Sequence, residues 1–379
     1  MKKRKLGSWI LVFVIILLFY SIMQGNSEEL PIQEETPYVE SATSSQFYYE
    51  QLSENQKKVY DILKKESCEL HSNIRLNRVP SKDVTLASYA LHMDYPALFW
   101  LGEYTYKTVG NDSVTEVIYS IPETAKDDLA EVEKVVEQIQ QEMDSRVIYN
   151  DYEKMKFFYD WIIEHTEYKS NSYSQDMRSV FLHNSSVCAG YSRAFQYLCQ
   201  KNDMECTYIP GYTNHHESHA WNLVNLSGKY YWVDVTWGDP LFAGEQDNET
   251  NYNFFLVDDE DFLQTHVIEM KEKMNFSFPQ CTDNSLNYYR LNHCYFEKYD
   301  TKIISNYLRE KFRNNSYHEI ELKFHSKEEF DKFMYQHIQK NGAYIYDDIR
   351  AVNPLFYGTM RVSSSILEDA NYVKVNVDL

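Results

Sequence analysis

The sequence predicts an α+β fold, with helices first and an antiparallel sheet second. Three observations carry this. Met155, Phe158, Tyr159, Ile162 and Ile163, and then Tyr191, Ala194, Phe195 and Leu198, recur at the i, i+3, i+4, i+7 spacing of one helix face. Residues 206–212, 219–235 and 252–257 follow as apolar-rich runs of strand length. Ser227-Gly228 divides the middle run into two arms, which is a hairpin signal.

The second helix opens on a cysteine. Cys188, Ala189 and Gly190 lead into its apolar face, and Ser185 and Ser186 stand upstream as candidate caps. A first-turn cysteine meets unpaired N–H groups and the positive end of the helix dipole, which favour an anion. The thiolate is such an anion, and it is the nucleophile. A buried cysteine acting as a small core hydrophobe is the plain alternative. His219 heads the run Ala-Trp-Asn-Leu-Val-Asn-Leu, and Asp234 lies in the returning arm. If Leu226 pairs with Lys229, His219 falls opposite Thr236, and Asp234 becomes its diagonal neighbour on the same face. A carboxylate there can hold the imidazole in one tautomer, the role of the third member of a catalytic triad. An aspartate within an apolar strand is uncommon without a partner.

The order Cys188, His219, Asp234, within VCAGYSRAFQYL, HAWNLV and YYWVDVTWGDP, resembles the transglutaminase-like superfamily, whose fold is related to papain-type thiol proteases. The resemblance covers roughly residues 150–290. It implies Cys188 as nucleophile, His219 as base and Asp234 as orienting acid. It also implies a papain/transglutaminase-like core, with a nucleophile helix packed on an antiparallel sheet. Animal transglutaminases carry Gly-Gln-Cys-Trp where this chain has Ser186-Val187-Cys188-Ala189; cross-linking is therefore not implied, whereas thiol chemistry is. No D-x-D-x-D-G calcium loop occurs, so neither a metal nor another cofactor is expected. His215-His216-Glu217-Ser218-His219 is not H-E-x-x-H, because Glu217 does not follow the first histidine of the i, i+4 pair. His215 and His216 are expected in a loop at the rim of the cleft.

Composition narrows the class further. A chain of 379 residues is long for one domain. A net charge of −20 argues against nucleic acid, which requires clustered Lys and Arg. The six cysteines, Cys68, Cys188, Cys199, Cys206, Cys281 and Cys294, form no C-x-x-C pair. Cys199 with Cys206, or Cys281 with Cys294, are candidates for local bridges outside the cell.

In chain order, Lys2-Lys3-Arg4-Lys5 precede an apolar run from Trp9 to Met23, with no A-x-A cleavage pattern after it. Residues 1–23 are expected to be an uncleaved signal anchor with its basic end inside the cell. The alternative is cleavage and secretion. Residues 24–46 read as a polar tether. Residues 47–147 form an accessory α+β region with a capping box at Ser53-x-x-Gln56, strands at 102–109 and 115–121, and an amphipathic helix carrying Leu129, Val132, Val136, Ile139 and Met143. The catalytic domain spans 148–294. A small C-terminal α/β unit spans 295–379, with a helix at Ile303–Leu308, a second capping box at Ser326-x-x-Glu329, and strands at 317–324, 344–349 and 372–377.

The expectation is a thiol enzyme at the membrane, its catalytic domain outside the cytoplasm, acting on amide bonds by acyl transfer. Its substrate is a protein or peptide, or a cell-wall polymer. Hydrolysis and transamidation share every step up to the acyl-enzyme. The backbone N–H of Cys188 is one oxyanion donor, and Asn184, Ser186 and Tyr173 are candidates for the second. The alternative is a non-catalytic surface module that uses the same cleft to bind.

Overall fold

The computed structural model describes residues 46–239, 250–268, 276–314, 318–340, 343–352 and 361–378. The expected anchor at 1–23 and nearly all of the tether lie outside the described residues. Among those residues no helix is long and apolar enough to cross a membrane. Two compact units form, Tyr48–Asp127 and Asp128 onward. Phe47 belongs with the second, where its ring stacks on Phe278 at 5.5 Å.

The first unit holds α1 (Glu54–Cys68), β1 (Asn73–Pro80), α2 (Ser81–Asp94), β2 (Tyr104–Val109) and β3 (Ser113–Tyr119). Its sheet is antiparallel in the order β1-β3-β2. The Ser53 and Gln56 capping box closes in both directions, satisfying two of the helix's orphan N–H groups. Asp94 is buried at the end of α2, where its carboxylate accepts from the backbone N–H of Tyr48 and Tyr49 and from the Tyr60 hydroxyl, at 3.0–3.1 Å. These three donors reach both carboxylate oxygens and offset the cost of burying the charge.

The second unit begins within α3 (Ala125–Ser145) and continues through α4 (Asp151–His165), β4 (Glu167–Tyr168), α5 (Arg178–Phe181), β5 (Ser185–Ser186) and α6 (Cys188–Lys201). A five-stranded sheet follows: β6 (Glu205–Thr213), β7 (Ser218–Leu226), β8 (Lys229–Val233), β9 (Phe255–Val257) and, after α7 (Asp259–Phe262), β10 (His266–Ile268). Every pairing in it is antiparallel, in the order β10-β6-β7-β8-β9. This is the α+β order the sequence predicts. The units meet at Asp127/Asp128 rather than at residue 147, because the acidic face of α3 is tied to the second unit. Asp128 pairs with Arg178 at 2.7 Å, Glu133 with Lys201 at 2.9 Å, and the Tyr197 hydroxyl donates to Glu133.

α6 packs on β6 and β7 and against α4. Its apolar stripe of Tyr191, Ala194, Phe195 and Leu198 is fully buried. β7 is buried on both faces for most of its length, which explains why it reads as a near-continuous apolar run. Tyr159 of α4 reaches into the far end of the sheet, where its hydroxyl lies 2.8 Å from the Asn251 carbonyl and 3.2 Å from the Asp234 carbonyl. A side chain at Gly238 would run into that tyrosine, its Cβ only 2.0 Å from the hydroxyl.

The C-terminal part adds a four-stranded sheet, β11 (Tyr295–Phe296), β12 (His318–Phe324), β13 (Arg361–Leu367) and β14 (Tyr372–Asp378), in the order β11-β12-β14-β13. The strand expected at 344–349 is instead part of a helix, Tyr344–Val352. Ile345 and Ile349 are both buried and stand four residues apart, a helical rather than a two-residue period. Ser326 does occupy the N-cap of the helix Lys327–Phe333, but its side chain makes no cap hydrogen bond; Glu329 is drawn away to accept from the Tyr299 N–H at 2.5 Å.

Candidate active site

Cys188 is the first residue of α6, and Val187 takes the N-cap without a side-chain bond. Ser185 and Ser186, expected as caps, instead form the short strand that pairs in parallel with Glu167 and Tyr168. The Ser186 hydroxyl turns inward to the Ser179 hydroxyl, 2.6 Å away. That pair lies directly under Gly190: a Cβ there would stand 2.0 Å from one Oγ and 2.2 Å from the other. Glycine two residues after the cysteine is thus what lets the helix start settle onto β5. Two of the proposed oxyanion donors are otherwise engaged, Ser186 as described and Asn184 by donating to the His165 carbonyl at 3.1 Å. Tyr173 is stacked on His183 at 4.2 Å, with the Arg178 guanidinium over its ring.

His219 sits near the start of β7, opposite Gly211 of β6. Leu226 pairs with Lys229, as the hairpin reading expects, but β8 ends at Val233. Residue 234 does not continue the ladder to place Thr236 against His219. The Asp234 Oδ1 accepts from the backbone N–H of Thr236 at 2.9 Å and of Trp237 at 3.2 Å, and this turn carries the chain out of the strand into a short 3₁₀ segment, Thr236–Gly238. The same turn aims Oδ2 at His219, whose Nε2 lies 2.6 Å away. The other ring nitrogen, Nδ1, is left for the thiol, and the Cys188 side chain acts on the ring as a further hydrogen-bond partner. Cys188, His219 and Asp234 are therefore brought together, with the histidine between the other two. Asn222 is turned toward the helix, donating to the Ser192 carbonyl at 3.0 Å.

A fourth group was not foreseen. His266, on the edge strand β10 opposite Thr213, places its Nε2 3.1 Å from the same Asp234 Oδ2. It is 1% exposed. Its Nδ1 lies 2.8 Å from the Thr265 hydroxyl. Nothing in the sequence spacing connects His266 to Asp234, 32 residues earlier. The available signal is that a histidine in a short apolar strand needs partners for two ring nitrogens once buried.

Burial acts first on all three groups, and the pairing decides the outcome. For His219 burial opposes the proton, but the Asp234 charge and hydrogen bond, with Cys188 adding to them, hold its pKa well above the ordinary histidine value. For Asp234 burial favours the neutral acid, yet the His219 charge and hydrogen bonds from both histidines keep it below the usual carboxylate range. For His266 burial prevails and the pKa falls. The arrangement is an ionised carboxylate, a protonated His219 and a neutral His266 donating from Nε2.

Tyr168 and Tyr208 both feel the charge of Cys188. Burial, then the nearby Cys188, pushes the Tyr168 phenol far up. Burial pushes Tyr208 up to about 12, against the lowering effect of the Arg193 guanidinium over its ring at 3.9 Å. Both phenols are protonated at neutral pH. The His215 and His216 side chains are exposed in the turn before β7.

His219, Asp234 and His266 are also a set of metal-ligand types whose atoms lie within 4.8 Å of one another. Their spacing is that of hydrogen bonds. Two ligands of one zinc at ordinary bond lengths and tetrahedral angles stand about 3.3 Å apart, well beyond the 2.6 Å between His219 and Asp234.

Residues 123–236 match the family model for the transglutaminase-like superfamily, so the chain carries a transglutaminase-like domain. That window includes Cys188, His219 and Asp234 and ends before His266. The chain is similar to the kyphoscoliosis peptidase of Mus musculus, 27% identical over 152 residues, 35% of this chain and 23% of that protein. It is likewise similar to the kyphoscoliosis peptidase of Homo sapiens, 27% identical over 183 residues, 43% of this chain and 26% of that one. It thus spans about a quarter of the length of these relatives. Among solved structures, it is similar to a putative cysteine protease from Cytophaga hutchinsonii, with 20% identity, a TM-score of 0.25, and 34% and 53% of the two chains covered. For a structure described as a TGase the figures are 12% identity, 0.26, and 36% and 44%.

Proposed function

We propose that the chain is a thiol enzyme that opens amide bonds by acyl transfer, with Cys188 as nucleophile. The observation that carries this reading is the place of His219, with the Asp234 carboxylate on one ring nitrogen and the Cys188 thiol beside the other. His219 takes the thiol proton at Nδ1, and the resulting imidazolium is held by Asp234 through Nε2. The thiolate attacks the carbonyl carbon of a carboxamide or peptide. The N–H of Cys188, at the open start of α6, donates to the oxyanion. His219 returns its proton to the leaving amine, and water or a second amine then releases the acyl group from sulfur.

The basic residues 2–5 and the apolar run to Met23 support an anchored chain with this site outside the cytoplasm. The test of the chemistry is alkylation with iodoacetamide at neutral pH, read by peptide mass spectrometry, with turnover of a glutamine-peptide library measured with and without an added amine. Cys188 should be modified first, and His219→Ala should slow that modification without changing its exposure. Equal labelling rates in wild type and His219→Ala, with no turnover in either, would favour a binding module on the same fold.

A further inference from the structure

The reading of the site uses one face of Asp234 Oδ2, yet a second imidazole occupies the other. His266 is not placed there by chance packing alone. Its ring is stacked on Phe262 at 3.8 Å and 14°, stands edge-on to Trp221 at 5.0 Å, and lies 4.7 Å from Trp237 and 5.5 Å from His219. These neighbours leave the ring plane little freedom, and the Thr265 hydroxyl at Nδ1 fixes which nitrogen faces the carboxylate. Edge strand β10 exists to hold it: His266 pairs with Thr213, and two residues on Ile268 pairs with Gly211, the glycine that faces His219 from across β6. A side chain at Gly211 would meet Trp221 at 2.3 Å and the Val267 carbonyl at 2.4 Å, so the close approach of β10 and the aromatic wall depends on that position being bare.

We propose that His266 is a positioning residue of the acyl-transfer site, donating a second, charge-assisted hydrogen bond to Asp234 Oδ2 that fixes the carboxylate's rotation and limits how strongly it holds the His219 proton. The proposal rests on the reading of Cys188, His219 and Asp234 as the reacting set. Its physical content is a division of charge. A carboxylate oxygen that accepts from two imidazoles offers each a weaker bond than it would offer one alone. His219 must both keep a proton while the thiolate attacks and give that proton to the leaving amine. A carboxylate bound only to His219 would make the imidazolium a poorer acid for the second task. The titratable groups acting on His266 are Asp234 and His219; Phe254, Phe262, Trp221 and Trp237 supply the rest of its ring contacts.

The test compares His266→Phe, which keeps the aromatic packing and removes the donor, with His266→Gln, which can return an N–H to the carboxylate, in the full chain. Two readouts are needed. The first is the NMR titration of the His219 ring, which reports on the Asp234–His219 pair whether or not the chain turns anything over. In His266→Phe the His219 titration should move to higher pH, and in His266→Gln it should lie close to wild type. The second is the pH profile of turnover. His266→Phe should lower kcat by about ten- to a hundredfold, the worth of one hydrogen bond to a charged group, with KM little changed and both limbs displaced outward. An unchanged His219 titration in a folded His266→Phe protein overturns the proposal, as does a His266→Gln protein that shifts as far as the Phe variant. If instead the NMR shift appears as expected while neither wild type nor variant consumes any amide substrate, it is the acyl-transfer reading that fails, and the hydrogen bond from His266 stands as a feature of the pair.

Discussion

Asp234 and Asp348 are both buried beside a histidine, and the pairs His219–Asp234 and His337–Asp348 ionise in opposite senses. In the cleft His219 is 2.6 Å from Asp234. In the C-terminal part His337 is 3.9 Å from Asp348. Both histidines are buried. Yet burial, helped by Lys340, drives His337 down to about 4, while burial also raises Asp348 against the pull of Ser305 and Arg309. The contrast lies in what else the carboxylate binds. Asp234 takes backbone N–H donors on Oδ1 and imidazoles on Oδ2, so its charge is directed at a ring. Asp348 spends its oxygens on the Ser305 hydroxyl and the Arg309 guanidinium, each at 2.9 Å, and no strong bond reaches His337. His337 is then a neutral ring stacked at 5.0 Å on Phe333, a member of the C-terminal hydrophobic core. A buried His–Asp neighbour pair is therefore not in itself a site; a charge aimed at the ring and a nucleophile on its other nitrogen make one.

The sharpest break of this comparison is at the nucleophile. Cys188→Ala is expected to remove turnover to below about one part in a thousand of wild type, since triad members matter on that scale or more, while the melting temperature holds; residual activity above that level, measured on the glutamine-peptide library, would count against Cys188. Next are the two aspartates. Asp234→Asn should lower kcat by about ten- to a thousandfold, less than in a serine enzyme because a thiol depends less on its base. Asp348→Asn should leave turnover within twofold and cost about 1–3 kcal/mol of stability, because it weakens the bonds from Ser305 and Arg309 to a buried carboxylate, read by urea denaturation. Equal effects of the two substitutions on turnover would erase the distinction between the pairs.

Gly190→Ala sharpens the role of the helix start. The added methyl meets two hydroxyls at 2.0 and 2.2 Å, so α6 must lift or the serines must turn, at a cost of about 1–3 kcal/mol. Activity should fall with it, because the displaced atoms include those next to Cys188. The smallest effect is in pH. The stability His219 gains from a raised folded pKa is complete below its ordinary value of 6.5 and declines as pH climbs through the folded value. Asp234, with a lowered folded pKa, contributes above its ordinary 3.8 and loses that contribution as pH falls through the folded value. His266, lowered as well, weakens the fold as pH drops below 6.5. Denaturation at a series of pH values should show the alkaline decline in wild type and its absence in Asp234→Asn.

Much of the site was legible because its parts are local. Cys188 follows from a helical period that starts on it, and His219 and Asp234 follow from one hairpin whose turn is written as Ser227-Gly228. The strand's end at Val233 was not legible, since Asp234 to Thr236 reads as continuing β8 and only the Asp234 side chain turns the chain away. His266 was out of reach for a different reason. A three-residue edge strand has no period to detect, and its partner is set by sheet order rather than by spacing. The helix at Tyr344–Val352 was misread because Tyr-Ile-Tyr carries strand preference, which the burial of Ile345 and Ile349 overrides.

Tyr159 gives the site a place in time. Its hydroxyl spans 75 residues to the Asp234 carbonyl and 92 to that of Asn251. Contacts of such separation close late, because loop entropy must be met before they form. During synthesis at about 5–20 residues per second, α4 waits roughly 4–15 s for Asp234 to leave the ribosome. For the last 46 residues of that interval Cys188 has emerged but Asp234 has not. On the proposed reading, the reacting set is complete only when the sheet closes over Tyr159.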